Sequence, residues 1–354
     1  MRTLVLCAIL FGSWNAVWSQ GERGYGVQFH QDGLPRNLGY EDLRSLGVER
    51  VVFRVFENMP EQEMGVTFKN RYRRPTKDLS QENGSLRKRL SIDSWAWMNT
   101  RSMAWEYRKD LMDPAEWPGK RAQEDARLDL FNPAVVELIR GYYQDLARSG
   151  YQGILIQDDL ILKRYEGLSL WGRKKISQWL GLPGEFMKPC PEDPADAVNW
   201  RRIKLSQVNR VLAQIVGDVH ESRPGTRVGV NVYYECALKP KNGEDWYAQS
   251  IPELVWTGVD EIHLMAYHRQ MMKELGWSFG EMIPEYRRML DQALEMAGSE
   301  HLVVKIQTRD WDNAQSIPAE ELKAVVMAVP QKVRLLIFTP VKEEEWKSVR
   351  EVVA

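Results

Sequence analysis

The chain has 354 residues, of which 44 % are hydrophobic, a composition typical of a globular protein with a substantial core and not of a disordered chain. Its 48 Lys and Arg nearly balance its 49 Asp and Glu, so charge gives no reason to predict a nucleic-acid or anionic-membrane partner. The 14 Trp are unusual, because these flat amphipathic rings suit stacking on sugar faces, although Trp is also a core residue.

The first predicted element is an export signal over residues 1–19. A basic start precedes an apolar stretch from Leu4 to Phe11, and small residues lead to a plausible cleavage point after Ser19. The apolar stretch is too short to span a bilayer. We therefore predict a periplasmic or secreted protein without an integral membrane span, whose residues 20–354 form one domain.

Cleavage after residue 19 would leave two cysteines in the mature chain, Cys190 and Cys236. In an oxidising compartment they could form a disulfide or stay as separate thiols, because their spacing does not fix their geometry. We predict no metal site and no cofactor.

Eight apolar segments follow the signal at a steady interval. Most are rich in Val, Ile and Leu without polar alternation, as expected for parallel strands covered on both faces. The predicted strands are Gly24 to His30, Arg50 to Glu57, Ser91 to Asn99, Gly153 to Asp159, Arg227 to Glu235, Glu261 to Tyr267, Leu302 to Thr308 and Val333 to Pro340.

Helical patterns separate many of these strands. Asn132 is a good N-cap before Pro133, and Gly150 ends that helix just before the next strand. Eight strands with helical crossovers predict an α/β protein with a single (β/α)₈ barrel, with elaborated loops after strands 2, 3 and 4, in preference to a doubly wound sheet. The predicted helices are Tyr40 to Leu46, Pro133 to Arg148, Trp200 to Val219, Glu281 to Met296 and Ala319 to Val329.

Polar and aromatic residues gather at the carboxyl ends of the predicted strands, where a barrel of this type carries its chemistry. The fourth strand ends in the acid pair Asp158-Asp159. Carboxylates, amides and rings together suit a carbohydrate, because rings stack on sugar faces and polar groups bind hydroxyls. The other residues predicted at this rim are His30, Trp95, Trp97, Asn231, Tyr233, Glu235, Tyr267, Gln307, Asp310 and Trp311.

The adjacency of the two acids restricts what each can do. Two neighbouring carboxylates repel as anions, which raises the pKa of one and keeps a proton available to a general acid. Successive strand residues point to opposite faces, so we expect one acid to act directly. In the alternative interpretation, one acid caps the following turn or helix while the other pairs with Arg or Lys.

Several motifs resemble one family. They are F-N-P-A-V-V-E-L-I through G-Y-Q-G-I-L-I-Q-D-D at 131–159, W-A-W-M at 95–98, E-D-W-Y-A-Q-S at 244–250, and V-V-K-I-Q-T-R-D-W with I-P-A-E-E-L at 303–322. In this order they resemble the C-terminal glycoside hydrolase domain of PgaB-type proteins, which act on poly-β-1,6-N-acetylglucosamine of bacterial biofilms. The resemblance covers nearly the whole mature chain.

The resemblance implies a (β/α)₈ fold, endo-hydrolysis of the partly de-N-acetylated exopolysaccharide, and association with an export or deacetylase component. It implies that Asp158 and Asp159 are the catalytic acids. Two departures stand out: Gln157 replaces a His common before the acid pair, and no H-x-x-x-H pair or room for a deacetylase domain is present. We therefore predict no deacetylation. By the same resemblance Trp95, Trp97, Asn231, Trp246, Gln307 and Trp311 are groove residues.

A substrate with a 2-acetamido group can attack its own anomeric carbon through the amide oxygen. The protein then supplies an acid for the leaving oxygen and a carboxylate that orients the amide. We assign Asp159 as the acid and Asp158 as the orienting group, with the reverse assignment as the alternative. A conventional two-carboxylate retaining scheme stays open, with Glu235 as the second partner.

Other features carry weaker functional signals. The basic tract at 69–77 predicts a solvated loop, since it lacks a nucleic-acid-binding motif. His263 and His268 are interpreted as structural or groove-lining, because no third metal ligand accompanies them. Two alternative functions remain: a polysaccharide-binding barrel without catalysis that aids polymer export, and a barrel hydrolase on a different glycan.

Overall fold

The computed structural model describes residues 23–29, 40–58, 64–75, 78, 91–102, 109–113, 127–181, 194–340 and 342–353. The predictions made for the export signal, for His30 and for Cys190 fall outside these residues. Cys236 is buried and its thiol is free.

The described residues form an alternation of strands and helices. The strands are β1 (Gly24–Phe29), β2 (Val48–Arg54), β3 (Phe56–Asn58), β4 (Met64–Val66), β5 (Asp93–Met98), β6 (Met112–Asp113), β7 (Arg127–Leu128), β8 (Gly153–Ile156), β9 (Arg227–Tyr233), β10 (Glu261–Ala266), β11 (Leu302–Gln307) and β12 (Leu335–Thr339). The helices are α1 (Tyr40–Ser45), α2 (Pro133–Arg148), α3 (Leu170–Leu180), α4 (Pro194–Ser222), α5 (Glu235–Leu238), α6 (Pro240–Tyr247), α7 (Ile251–Trp256), α8 (His268–Leu275), α9 (Phe279–Ala297), α10 (Ala319–Ala328) and α11 (Glu343–Val353).

Eight strands close into a parallel barrel in the order β1-β12-β11-β10-β9-β8-β5-β2. This closure confirms the predicted (β/α)₈ barrel, and each of the eight predicted strands supplies one barrel strand. Two hairpins, β3-β4 and β6-β7, elaborate the loops after the second and third barrel strands. Among the described residues, no helix is long and apolar enough to cross a bilayer.

The fourth barrel strand, β8, begins where the sequence predicts but ends earlier than predicted. The Asn132 side chain accepts a hydrogen bond from the backbone N–H of Ala134 at the start of α2, which confirms the N-cap. Gly150 adopts a φ of 103°, which permits the sharp turn into β8. The strand ends at Ile156, so both acids lie in the turn beyond it and alternation along a strand does not decide their directions.

The amino-terminal end of the barrel is filled by an ion-pair network. Arg50 binds Glu261 across the barrel, with Nη1 to Oε2 at 2.5 Å, and Arg227 binds Asp93 and Glu261. The ring of Trp95 lies on this network, with the Arg50 guanidinium 4.1 Å from its centroid. Among the described residues, this network and the ring of Trp95 occupy the amino-terminal end, which leaves the carboxyl-terminal mouth for ligands, as is usual in this fold.

Candidate active site

Asp159 is tied to the backbone of a neighbouring loop. Its carboxylate accepts hydrogen bonds from Thr100 N at 2.9 Å, Thr100 Oγ1 at 2.8 Å and Ser102 N at 2.7 Å. The side chain is only 3 % exposed. These short hydrogen bonds to one loop leave the carboxylate little freedom to reach a ligand. Asp159 therefore fixes the segment that follows β5.

Asp158 is less constrained and partly accessible. Its Oδ2 accepts a hydrogen bond from the hydroxyl of Tyr233 at 3.2 Å. Burial and then the charge of Asp159 raise the pKa of Asp158, while Lys305 and the Tyr233 hydroxyl oppose that rise. A carboxyl group with a raised pKa keeps its proton closer to neutral pH, as a general acid requires.

A buried lysine lies inside the barrel below this acid. Lys305 donates a hydrogen bond from Nζ to Asn231 Oδ1 at 2.9 Å, and both side chains are buried. Burial lowers the pKa of Lys305 to about 7, and the charge of Asp158 acts in the opposite direction. The sequence reasoning missed Lys305. A charged residue isolated within the apolar strand β11 was the available signal, because such a charge is costly without a partner.

Asn231 was predicted to bind substrate, but it is buried and engaged with the lysine. It therefore positions Lys305, which in turn stabilises a charge on Asp158. Gln307 is also buried; its Nε2 donates to Arg309 O at 2.7 Å and so braces the loop that follows β11. These two amides support the site from within the barrel.

Aromatic rings border the mouth on one side of Asp158. Tyr233 stacks on Tyr247 with ring centroids 4.0 Å apart and an interplanar angle of 7°. The Tyr247 hydroxyl donates to Glu235 Oε1 at 2.9 Å, and burial raises the pKa of Glu235. Trp246, which is partly exposed, meets Tyr165 edge to face. These rings form a wall with apolar faces that suit sugar rings.

A second aromatic pair borders the mouth near β10 and β11. Tyr267 contacts Trp311 edge to face, with centroids 5.8 Å apart, and the Trp311 ring is exposed. The charge of Asp158 acts on Tyr267, whose pKa is raised mainly by burial. Asp310 pairs with Arg269, with Oδ2 to Nη1 at 2.8 Å. Tyr267 thus lies within electrostatic range of Asp158, and Asp310 and Trp311 follow β11 in the loop at the rim.

Trp95 does not reach the mouth, and this corrects the groove position predicted for it. The ring is fully buried and lies against His263, with centroids 5.6 Å apart. A Cβ on Gly153 would come within 2.2 Å of it, so the neighbouring strand must carry glycine there. Trp97 is 8 % exposed and contacts Phe56 of the β3-β4 hairpin edge to face. Trp95 is therefore a core residue, and Trp97 lies nearer the rim.

The two histidines interpreted as structural have carboxylate partners. His263 Nε2 lies 2.8 Å from Glu261 Oε2, and His268 Nε2 lies 2.9 Å from Glu321 Oε1. Both rings are buried. Each pairing accounts for the histidine as part of the barrel frame.

A buried arginine fastens the loops that carry the acids. Arg101, between Thr100 and Ser102, donates to Glu166 Oε2 at 2.6 Å and to Asp113 Oδ2 at 3.4 Å. Burial raises the pKa of Asp113 to about 7, although Arg101 opposes the rise. Because Glu166 follows β8 and Arg101 follows β5, this network joins the two loops that meet at Asp159.

Replacing Tyr233 with Phe should move the basic limb of the pH–rate profile to higher pH by about one unit. A shift of that size corresponds to a loss of about 1.4 kcal/mol in the stabilisation of the Asp158 carboxylate. The hydroxyl favours ionised Asp158, so its loss raises the pKa of that acid and keeps it protonated to higher pH. The matched control is Tyr247→Phe, which keeps the stacked ring but removes the hydrogen bond to Glu235. A shift in the control alone would assign the limb to Glu235.

Comparison with known proteins places this geometry in a family. The model described as hypothetical glycosyl hydrolase family 13 matches residues 41–333. The PgaB (BpsB) glycoside hydrolase domain from Bordetella bronchiseptica is similar at a TM-score of 0.76 and 21 % identity, covering 94 % of this chain and 99 % of that chain. A β-galactosidase from the psychrophilic Marinomonas ef1 is similar at a TM-score of 0.66 and 12 % identity, covering 93 % of this chain and 59 % of that chain.

The comparison with curated proteins gives no match. The fold is common to this chain and both solved structures, and the family agrees with the resemblance found in the sequence motifs. Because the family model spans most of the chain and the barrel closes as described, the protein belongs to hypothetical glycosyl hydrolase family 13 and is a glycoside hydrolase.

Proposed function

We propose that the protein is an exported glycoside hydrolase that cleaves partially de-N-acetylated poly-β-1,6-N-acetylglucosamine within the chain. The observation that carries the proposal is the Asp158 carboxyl group, whose pKa is raised at a mouth bordered by aromatic rings. The motifs shared with PgaB-type domains support the choice of polymer, and the sequence of residues 1–19 supports export.

In the proposed reaction, Asp158 is the general acid, the role that the sequence analysis assigned to Asp159. Asp159 instead anchors the segment that follows β5. Asp158 gives its proton to the glycosidic oxygen as the bond from that oxygen to the anomeric carbon breaks. The acetamido carbonyl oxygen of the same sugar forms the new bond to that carbon. Water then attacks the cyclic intermediate and delivers a proton to ionised Asp158, which restores the starting state.

The residues around Asp158 make this proton transfer reversible. Burial and Asp159 favour the protonated acid, while Lys305 and Tyr233 favour the carboxylate that remains after transfer. A pKa held between these influences suits a group that must act first as an acid and then as a base. Gln157 Oε1 is buried and has no hydrogen-bond partner among the described residues, so it is our candidate acceptor for the acetamido N–H.

The decisive experiment is hydrolysis of defined polymers by the purified mature protein, with products identified by mass spectrometry. We expect shorter oligomers from partially deacetylated β-1,6-linked polymer and none from chitosan, whose β-1,4 linkage presents a different chain shape. Cleavage of another glycan alone would overturn the substrate. Binding of the β-1,6-linked polymer without turnover would instead support a polysaccharide-binding barrel that aids export. Association with an export or deacetylase component remains a prediction.

A further inference from the structure

The carboxyl end of β9 extends beyond one of the two strands that flank it. β8 pairs with β9 only as far as Val230, whose partner is Ile156. β10 continues to pair with β9 up to Tyr233. The last residues of β9 therefore have a paired strand on one edge only. Their backbone groups on the other edge need a different partner, because a buried N–H or C=O without a hydrogen bond is costly.

The side chain of Gln249 supplies that partner. Its Nε2 donates to Asn231 O at 3.1 Å, and its Oε1 accepts from Tyr233 N at 3.4 Å. These two backbone groups belong to alternate residues and so face the same edge of the strand. One primary amide thus forms the pair of hydrogen bonds that a residue of a parallel neighbouring strand would form. Gln249 is fully buried, so water does not compete for either bond.

The turn that carries Gln249 is also bound to the segment after the two acids. Ala248 ends α6 with a φ of 54°, a left-handed conformation that alanine rarely adopts and that persists where the surrounding structure enforces it. The carbonyl oxygen of Tyr247 accepts a hydrogen bond from Leu162 N at 3.1 Å. The turn therefore joins the segment that follows β8 to the end of β9.

Both groups that favour ionised Asp158 depend on the end of β9. Tyr233 donates to Asp158 Oδ2 at 3.2 Å, and its backbone N–H is one of the groups bound by Gln249. Asn231, whose backbone oxygen is the other, accepts a hydrogen bond from Lys305 Nζ through its side chain. Lys305 and Tyr233 lower the pKa of Asp158 against the effect of burial. A displaced end of β9 would weaken both interactions.

We propose that Gln249 is a positioning residue of the active site, whose amide completes the unpaired edge of β9 and so holds the Tyr233 hydroxyl against Asp158. This role rests on the proposed function and deepens it, because it names a group that arranges the partners of the general acid. Gln249 has no exposed surface and does not contact the substrate. It acts through Tyr233 and Asn231.

The test is the pH dependence of kcat/KM for Gln249→Met on the partially deacetylated β-1,6-linked polymer. Methionine is similar in size and apolar, so it can stay buried but cannot form either hydrogen bond. The basic limb should move to higher pH by up to about one unit, the shift expected of Tyr233→Phe, because Asp158 loses groups that favour its ionised form. Tyr233→Phe should add less in this background than in the parent, since both changes disturb one contact.

Two other groups interact electrostatically with Asp158 and should be unaffected. Asp159 is held by the loop after β5, and Tyr267 follows β10. The matched control is Gln207→Met, which also removes a buried amide, one that donates to Leu130 O. Both methionine variants should melt at a lower temperature than the parent, but only Gln249→Met should move the basic limb.

A second variant decides the question if Gln249→Met unfolds at the assay temperature. Gln249→Asn keeps an amide but is one methylene shorter, so it cannot reach both backbone groups of β9 and should move the limb in the same direction. A shifted limb in Tyr233→Phe with a parental limb in the folded Gln249 variants would overturn the positioning role and leave the proposed function standing. An equal shift in Gln207→Met would also overturn it, because lost stability alone would then explain the effect. A parental limb in Tyr233→Phe, together with undiminished turnover by Asp158→Asn, would overturn both the role of Asp158 and that of Gln249.

Discussion

Asp158→Asn is expected to lower kcat by about 10²–10⁴-fold, the usual contribution of a general acid. Asparagine has nearly the same shape but cannot donate a proton to the glycosidic oxygen. The melting temperature should stay close to that of the parent, because the variant removes a carboxyl group whose charged form burial disfavours. Initial rates of oligomer release, together with polymer binding by calorimetry, should show lost turnover and retained affinity.

Two controls separate this role from a structural one. Asp159→Asn turns an amide toward Thr100 N and Ser102 N, so it should destabilise the fold by about 1–3 kcal/mol, the cost of leaving buried donors unpaired. Asp291→Asn, on the exposed face of α9, should change neither property. Near-parental turnover by Asp158→Asn, together with a stable but inactive Asp159→Asn, would assign the general-acid role to Asp159.

Arg101→Met should produce a large loss of stability, about 3–5 kcal/mol, because it leaves buried Asp113 without its cation and Glu166 with only Arg127, 4.0 Å away. The loss should be measured by urea unfolding, with each curve recorded at one fixed pH. The difference in unfolding free energy between variant and parent should grow between pH 5 and pH 8. The pKa of Asp113 is already raised beside Arg101 and would rise further without it, and the pKa of Glu166, which Arg101 holds below its ordinary value, would rise above it. Protonated carboxyls then stabilise the fold at low pH, and that stability disappears as pH rises.

The matched control for this variant is Arg288→Met on α9. Arg288 pairs with Glu285 at 2.5 Å, but both side chains are well exposed, so its removal should cost less than about 1 kcal/mol. An equal effect of the two variants would show that burial of Arg101 is not what fastens the loops. Loss of activity in Arg101→Met at urea concentrations below its unfolding midpoint would show that the loops joined by Arg101 position the acids.

Much of the barrel could be predicted from local signals. Apolar strands without alternation, separated by helices, gave eight strands in the right order, and Asn132 and Gly150 bounded α2 because capping and left-handed turns depend on residues next to each other. The ends of the strands were predicted less accurately than their existence and order. The end of β8 at Ile156 is set by pairing with β5 and β9, and those partners are distant in sequence.

The depth of each side chain in the barrel could not be predicted. Trp95 and Trp97 belong to one strand and face the same side, yet the first is buried beside His263 and the second reaches the rim. Depth depends on how far each strand is staggered relative to its neighbours, and that stagger appears only when the barrel closes. For the same reason Lys305 and Asn231 could not be recognised as a pair.

The sequence by itself determined that this chain forms a (β/α)₈ barrel with two adjacent acids at the carboxyl end of its fourth strand, because periodicity and capping are local. Only the tertiary structure decided how those acids differ. Thr100 and Ser102 donate hydrogen bonds to the carboxylate of Asp159, while Tyr233 and Lys305 lower the pKa of Asp158 against the effect of burial. Proton affinity depends on every charge and donor within a few ångströms, and folding brings those groups together from separate parts of the chain.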